Sequence, residues 1–215
     1  MATQKKEKRN TKQEIFFAAA EMFADKGYAN VSSRDIARKV GIQSPSIYSH
    51  YPSKEAILDD LLNHYLERME AFYKRLAERE IVITEQKDLS VALNTLMLAY
   101  EPTEVELMYQ LTRIVHHEQF NFPKAAEALI GTGYKKYVAA HIHFFDRLSD
   151  AGFIKGKEDN WYYGELYARL SLTFGTQFLH PQIEPTIPNQ TVLSDFISKL
   201  VLSYEEKKAG PASGK

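Results

Sequence analysis

Apolar residues recur every three or four positions along most of the chain, which is the spacing of one face of an α-helix. The first such stripe contains Ile15, Ala19, Met22 and Phe23. The pattern predicts helices at about 11–26, 33–40, 45–51, 54–80, 87–100, 103–120, 123–150, 159–179 and 189–207. Strand signals are lacking, and the β-branched run at 81–84 is expected to link two helices. We therefore predict an all-α protein of about nine helices.

Helix start signals divide the N-terminal part of the chain. Thr11 and Glu14 fit a capping box, so we expect the first helix to begin at Thr11. Ser32 and Asp35 repeat the pattern before a second, short helix. Ser53 is the predicted cap of the long helix that follows.

The two short helices at 33–40 and 45–51, with the turn 41–44 between them, have helix-turn-helix spacing. Ser44 is the predicted cap of the second, with Pro45 at its first position. Serine, tyrosine and histidine crowd this second helix where packing would require leucine. Such polar groups on a brief helix indicate a surface for DNA, with its first turn in a major groove.

Charge and composition restrict the class of protein. The net charge of −1 hides an asymmetry: residues 1–54 have 10 Lys and Arg against 5 Asp and Glu, and residues 55–215 have 17 against 23. A basic end favours a polyanion partner, although the basic residues at 5–12 are equally explained as a solvated tail. The absence of cysteine excludes disulfides and thiolate zinc sites. Without a secretory signal or an apolar membrane span, a cytoplasmic protein is expected.

Three motifs carry a family resemblance. They are F-A-x-K-G-Y at 23–28, S-R-D-I-A-x-x-V-G-I at 33–42 and S-I-Y-x-H-Y-P-S-K-E-A-I-L at 46–58. Together they resemble the TetR family of bacterial transcriptional repressors over residues 11 to about 66. The rest of the chain is similar to the family only in its helical layout and length.

The resemblance implies DNA contacts at eight positions: Ser33, Arg34, Ser44, Pro45, Ser46, Tyr48, His50 and Lys54. Arg34 would reach a base edge, with guanine as the best match for its two donors. The residues at 44–46 would meet bases, while Ser33, Tyr48, His50 and Lys54 would bind phosphate. Taken alone, Lys54 is equally a solvated lysine near a helix cap. Tyr51 is expected in the core.

A short reading helix contacts few base pairs, so such proteins pair across a two-fold axis and bind palindromic operators. The predicted homodimer interface consists of a small-residue stripe and part of the last helix: Gly164, Ala168, Ser171, Gly175, Phe196 and Leu200. Packing of the same stripe within one chain is the alternative.

The resemblance also implies a small-molecule effector pocket in the aromatic-rich second half, suited to a hydrophobic or aromatic ligand. Its candidate residues are Tyr109, Arg113, His117, Tyr137, His141, Phe145 and Tyr167. Each aromatic residue is alternatively part of the core. Arg113, His117 and Glu118 are alternatively a buried or interfacial hydrogen-bond set.

Neither a metal, a cofactor nor a catalytic site is expected. His117 and Glu118 begin an H-E-x-x-H pattern, but Asn121 stands where its final histidine belongs. His141 and His143 are two residues apart and point to different faces of a helix. The two glycines of 131–133 lack a preceding strand, so we predict an irregularity in a helix there.

These observations predict a DNA-binding domain at 1–54, with the helix-turn-helix at about 32–51, an effector-binding and dimerisation domain at 55–207, and a disordered tail at 208–215. The expected function is that of a homodimeric, ligand-responsive repressor. An activator with the same DNA-binding domain is one alternative. A helical small-molecule-binding protein that has lost DNA binding is the other.

Overall fold

The computed structural model describes residues 10–85, 105–153 and 159–179, together with Asp195 and Lys199. The predicted helix at 87–100 lies outside the described residues, and so does 189–207 apart from those two positions. The residues before position 10 and the predicted disordered tail at 208–215 also lie outside them.

The N-terminal part of the chain folds into three α-helices and two 3-10 helices. Helix α1 spans Thr11–Lys26, and a 3-10 turn, Tyr28–Asn30, connects it to α2, Ser33–Val40. The second member of the helix-turn-helix is a 3-10 helix, Ser44–Ser49, rather than an α-helix. Helix α3 then runs from Lys54 to Glu85.

Side chains fix the beginnings of these helices, and two of the predicted caps are wrong. Asn10 rather than Thr11 caps α1, its side chain accepting from Gln13 N–H at 3.2 Å. Ser44 is itself the first residue of the 3-10 helix, so Gln43 takes the cap position without a side-chain bond. Ser53 does cap α3, since its Oγ accepts from Ala56 N–H at 3.1 Å.

The second half of the described chain is also helical. Helix α4 spans Val105–Glu118. A continuous helical stretch then comprises α5 at Pro123–Glu127, a π-helical segment at Ala128–Lys136 and α6 at Tyr137–Asp150. Helix α7 spans Asn160–Leu179. The π segment contains the two glycines of 131–133, which confirms the predicted irregularity.

The all-α prediction is confirmed for the part of the chain that the structure describes, which contains seven α-helices and no strand. The predicted count of about nine differs, because one short helix is 3-10, 123–150 is interrupted and two predicted helices lie outside. The run at 81–84 is helical within α3 rather than a link. No helix among the described residues is both long and apolar enough to span a bilayer.

The chain divides into two compact units. The first comprises Met1–Leu66 and Glu106–Ala128, and the second comprises Glu67–Val105 and Leu129–Lys215. Apolar side chains from α1, α2, the 3-10 helix and α3 fill the core of the first unit: Ile15, Phe23, Ile36, Ile47, Leu58 and Leu61. Burial of each such side chain contributes roughly 1.5–3 kcal/mol. This packing holds helices too short to be stable alone.

Candidate nucleic-acid interface

The turn between α2 and the 3-10 helix depends on Gly41. Its backbone is left-handed, with φ 73° and ψ 37°, and this conformation disfavours residues with a Cβ atom. Ile42 N–H then donates to the carbonyl of Ala37 at 3.0 Å, which closes the end of α2. The chain therefore leaves α2 in a fixed direction and begins the 3-10 helix three residues later.

Within the 3-10 helix, one side chain is buried, Ser44 and Ser46 are half-buried, and the others are exposed. Ile47 is fully buried in the core of the first unit. Tyr48 is 55% exposed, and Pro45, Ser49 and His50 at its end are exposed as well. A single apolar anchor with polar neighbours on the surface is the arrangement that groove recognition requires.

The start of α2 is fixed by the predicted capping box, which the structure confirms. Ser32 Oγ accepts from Asp35 N–H at 3.2 Å, while Asp35 Oδ2 accepts from Ser32 N–H at 3.0 Å. Hydrogen bonds from the Ser32 side chain and backbone lower the pKa of the Asp35 carboxyl. Ser33 is half-buried and Arg34 is exposed in the first turn of this helix. The capping box thus sets where the Arg34 side chain emerges.

Basic residues of α2 differ in their surroundings. Arg38 lies 3.6 Å from an Asp35 oxygen, and Lys39 donates to Glu21 at 2.6 Å. Both pairs are exposed, so each contributes little to stability.

Lys54 is the candidate contact whose placement differs most from expectation. Its Nζ donates to the carbonyl oxygens of Tyr28 and Val31, each at 2.8 Å, and lies 3.9 Å from the centroid of the Tyr28 ring. Burial lowers the pKa of Lys54, an effect that the nearby Glu118 carboxylate opposes. Two of the three ammonium donors are therefore used inside the protein.

Tyr51 lies in the core, as expected. It is 4% exposed, and its hydroxyl donates to Asp60 Oδ2 at 2.7 Å. Burial, together with Asp60, raises the pKa of the phenol. Lys12 lies over the ring, 5.1 Å from its centroid. The hydrogen bond between Tyr51 and Asp60 connects the end of the helix-turn-helix to α3.

A set of contacts that sequence reasoning did not place joins α4 and α5 to the N-terminal helices. Glu118 Oε1 accepts from Tyr28 N–H at 2.9 Å, although 90 residues separate the two. Arg113 pairs with Asp25 at 3.2 Å, and Lys124 pairs with Asp59 of α3 at 3.0 Å. The Phe122 ring meets the Tyr28 ring edge-on, with centroids 5.1 Å apart. The signal in the sequence was the group of polar residues late in an apolar helix, among them Arg113 and Glu118.

The seven candidate pocket residues are divided between the two units. Tyr109, Arg113 and His117 are on α4 in the first unit. A Cβ atom at Gly27 would lie 4.0 Å from His117 Nδ1, so His117 is close to the end of α1. Arg113 thus takes part in a contact between helices of the first unit, the alternative that the sequence left open, and His117 lies beside the same helix end.

The other four candidates, Tyr137, His141, Phe145 and Tyr167, are buried together in the second unit. The His141 ring stacks on Tyr167, with centroids 5.4 Å apart, and its Nδ1 donates to the Tyr137 carbonyl at 2.8 Å. Burial lowers the pKa of His141 to about 4, so the imidazole is neutral near pH 7. His143 is exposed on the opposite face, as predicted.

The small-residue stripe of α7 meets α6 of the same chain. A Cβ atom at Gly164 would lie 2.6 Å from Ile142 Cα, so the two backbones approach closely. Ala168 is fully buried, and Ser171 Oγ lies 2.9 Å from the Tyr137 hydroxyl. Gly164, Ala168 and Ser171 thus take part in packing within the chain, which was the stated alternative to a dimer contact. The surroundings of Gly175, Phe196 and Leu200 fall outside the described residues.

Acidic and histidine side chains do not assemble into a metal-binding group of three or more anywhere in the described ranges. In the segment that resembles H-E-x-x-H, Glu118 is buried and hydrogen-bonded within the protein. Glu118 is 5% exposed and its carboxylate accepts from Tyr28 N–H and, at 3.5 Å, from Asn121 Nδ2. Its oxygens are therefore used to hold backbone and side-chain amides.

Comparison with known proteins connects the N-terminal region to one family. Residues 15–61 match the family described as bacterial regulatory proteins, tetR family. The chain is 36% identical over 91 residues to the HTH-type transcriptional repressor KstR2 of Mycobacterium tuberculosis, covering 42% of this chain and 43% of that protein. It is 34% identical over 64 residues to the regulator EthR of the same organism, covering 30% of each. The matched segments thus span less than half of these relatives.

Solved structures extend the similarity of fold to most of the chain. The structure of the ketosteroid transcriptional regulator KstR2 of Mycobacterium tuberculosis matches with a TM-score of 0.62 at 22% identity, covering 91% of this chain and 96% of that one. A tetR-family regulator from Mesorhizobium loti matches with a TM-score of 0.60 at 19% identity, covering 90% and 94%. At such identities these matches establish the fold alone.

Proposed function

We propose that this chain, whose residues 15–61 match the tetR family of bacterial regulatory proteins, is a homodimeric transcriptional repressor which a small molecule releases from operator DNA. The observation that carries this proposal is the helix-turn-helix, with Ile47 buried as an anchor and polar side chains outward. A regulator of this kind acts on DNA in the bacterial cytoplasm and is not an enzyme.

DNA binding is assigned to the exposed side of α2 and the 3-10 helix. In this proposal Arg34 reads a base edge, the residues at 44–46 approach bases, and Ser33, Tyr48 and His50 bind phosphate. Two such surfaces in a homodimer address half-sites about 34–36 Å apart on a palindromic operator. The remaining predicted interface residues, Gly175, Phe196 and Leu200, are candidates for the dimer contact.

We assign effector binding to the part of the chain beyond the DNA-binding region. The four aromatic and histidine residues clustered in the second unit, from Tyr137 to Tyr167, suit a hydrophobic or aromatic ligand. Two solved structures of similar fold, a ketosteroid transcriptional regulator and a fatty acid degradation regulator, are consistent with an apolar class of effector. Such a ligand would lower operator affinity by favouring a conformation that does not bind DNA.

The test begins by enriching duplexes from a random-sequence pool with the wild-type chain. Replacing Arg34 with Ala, and separately Tyr48 with Phe, is expected to weaken binding of the enriched duplex by about 1–3 kcal/mol each. Arg38→Ala removes an equal charge from α2 at a position outside the proposed contacts, and it is the matched control. Unchanged affinity in both test variants, measured by fluorescence anisotropy, would overturn these residue assignments.

A transcription assay separates repressor from activator. With the enriched site placed at a promoter, the wild-type chain is expected to lower transcript yield, and an apolar effector is expected to restore it. A rise in yield on adding the chain would instead identify an activator with the same DNA-binding domain. If the folded chain enriches no duplex at all, the alternative of a helical small-molecule-binding protein takes its place.

A further inference from the structure

Side chains from two other helices hold the backbone of the turn between α1 and α2, residues 27–31. Glu118 of α4 accepts the N–H of Tyr28, and Lys54 of α3 binds the carbonyl oxygens of Tyr28 and Val31. The donor and the acceptor of one residue, Tyr28, are thus both satisfied by charged side chains. Charge-assisted hydrogen bonds of this kind are stronger and more directional than neutral ones.

The burial of Glu118 distinguishes the cluster from an ordinary surface ion pair, and Lys54 is half-buried beside it. Glu118 is 5% exposed, and its Oε2 is also approached by Asn121. Burying a carboxylate is costly unless donors reach it, so its position is well defined only while the turn supplies the Tyr28 N–H. Loss of either side chain would leave a backbone group of the turn without its partner.

The turn leads directly into the proposed DNA-reading helix. The Val31 carbonyl held by Lys54 belongs to the residue before Ser32, the cap of α2. Ser33 and Arg34 follow in the first turn of that helix. Any displacement of the turn therefore moves the beginning of α2 and the point from which Arg34 extends.

We propose that Lys54 and Glu118 are positioning residues for DNA binding, which fix the turn at 27–31 and thereby orient Ser33 and Arg34. This role rests on the proposed function as a DNA-binding regulator. Lys54 acts on DNA affinity through the turn and not as a phosphate ligand, because its ammonium is directed to two carbonyls and to the face of the Tyr28 ring.

The salt dependence of DNA binding distinguishes the two roles of Lys54. The logarithm of DNA affinity falls linearly with the logarithm of the salt concentration, and each residue that neutralises a phosphate makes this slope steeper by about one. A positioning residue instead changes the affinity by the same factor at every salt concentration. The variants are Lys54→Met, Glu118→Leu and the conservative Glu118→Gln, whose amide oxygen still accepts from Tyr28. Lys124→Met is the matched control, since it removes an equal charge from the ion pair with Asp59.

The probe is a fluorescein-labelled duplex enriched by the wild-type full-length chain. Lys54→Met and Glu118→Leu are expected to weaken binding about tenfold between about 50 and 200 mM salt, with the slope unchanged. Glu118→Gln and Lys124→Met are expected to stay within about twofold of wild type, because each leaves the turn intact. Amide hydrogen exchange over 27–36 is expected to accelerate in the two weakened variants only.

Three results would overturn the proposal. A salt dependence that is less steep by about one in Lys54→Met would show that this lysine binds a phosphate. Wild-type affinity in Lys54→Met and Glu118→Leu would show that the turn does not control binding. If Lys54→Met does not unfold cooperatively, the comparison of Glu118→Leu with Glu118→Gln is used instead. Equal DNA affinity of these two variants contradicts the proposal. A wild-type chain that binds no duplex instead refutes the proposed function itself.

Discussion

The turn between α1 and α2 and the contact between α6 and α7 are both closely fixed, but by opposite means. In the turn, Glu118 and Lys54 bind backbone groups of residues 27–31 through directional, charge-assisted hydrogen bonds. Between α6 and α7, Gly164 lets the two backbones approach, and buried aromatic rings fill the space beside them. One contact depends on hydrogen-bond direction and the other on shape.

This difference follows from what each contact must hold. A short helix such as α2 has too few buried side chains to define its orientation, so directional bonds at its beginning contribute strongly. The longer helices α6 and α7 bury apolar surface along several turns, and the stability of this contact depends on close packing of its side chains. We therefore expect α6–α7 to be sensitive to volume, and the N-terminal helices to be sensitive to loss of single polar partners.

Gly164→Ala is expected to have the largest effect on stability. The new Cβ would meet Ile142 Cα at 2.6 Å and Ile142 N at 2.9 Å, and backbone atoms cannot move aside as a flexible side chain would. Denaturant unfolding is expected to show a loss of about 3 kcal/mol. Gly41→Ala is the comparison: nothing lies within 4 Å of its added Cβ, and only the φ of 73° is unfavourable, at about 1 kcal/mol. Equal losses would contradict the contrast between the two contacts.

Acid is expected to weaken the α6–α7 contact through His141. Because burial holds its folded-state pKa at about 4, below the unfolded value near 6.5, the unfolded chain binds more protons between these pH values. The contribution of His141 is complete above about pH 6.5 and declines by roughly 1.4 kcal/mol per pH unit down to about pH 4. Denaturant unfolding at several pH values measures this loss, which reaches about 2 kcal/mol at pH 5.

Two variants separate His141 from the other histidines. His141→Gln is expected to flatten the pH dependence between about 4 and 6.5. His143→Gln, two residues away and exposed, is expected to retain the wild-type slope. A wild-type slope in His141→Gln would mean that this imidazole titrates alike in folded and unfolded chains.

The smallest of these effects is expected from Tyr51→Phe in the first unit. The change removes the hydrogen bond from the hydroxyl to Asp60 Oδ2 while keeping the buried ring. Since the partly exposed carboxylate regains water, we expect a loss of about 1 kcal/mol in thermal or denaturant unfolding. Tyr48→Phe, whose hydroxyl lies on an exposed side chain, serves as control and should leave stability unchanged. A loss in Tyr51→Phe no larger than in the control would show that polar partners matter less here than proposed.

Local features were predictable from the sequence because their partners are close along the chain. The capping box of Ser32 and Asp35 spans three residues, and the sequence contains both partners of each bond. The same local logic located the helix-turn-helix and the segment that matches a known family. The two wrong caps are each one position away from the observed ones, which are Asn10 rather than Thr11 and Gln43 rather than Ser44.

Distant partners were not predictable in this way. Nothing near Tyr28 in the sequence indicates that Glu118 accepts its N–H from 90 residues away. The small-residue stripe through Gly164 predicts a close neighbour but does not identify the neighbour's helix or its subunit. Nor does the sequence near Arg113 indicate that this side chain pairs with Asp25, which is 88 residues away.

The central claim is that two copies of the helix-turn-helix read one duplex together. Native mass spectrometry of the wild-type chain with an enriched duplex measures this directly. The account predicts one complex that contains two 24.7 kDa chains per duplex, and a smaller fraction of this complex for Arg34→Ala at the same concentrations. A single chain in solution that forms no complex with duplex DNA, even in dilute salt, would contradict it.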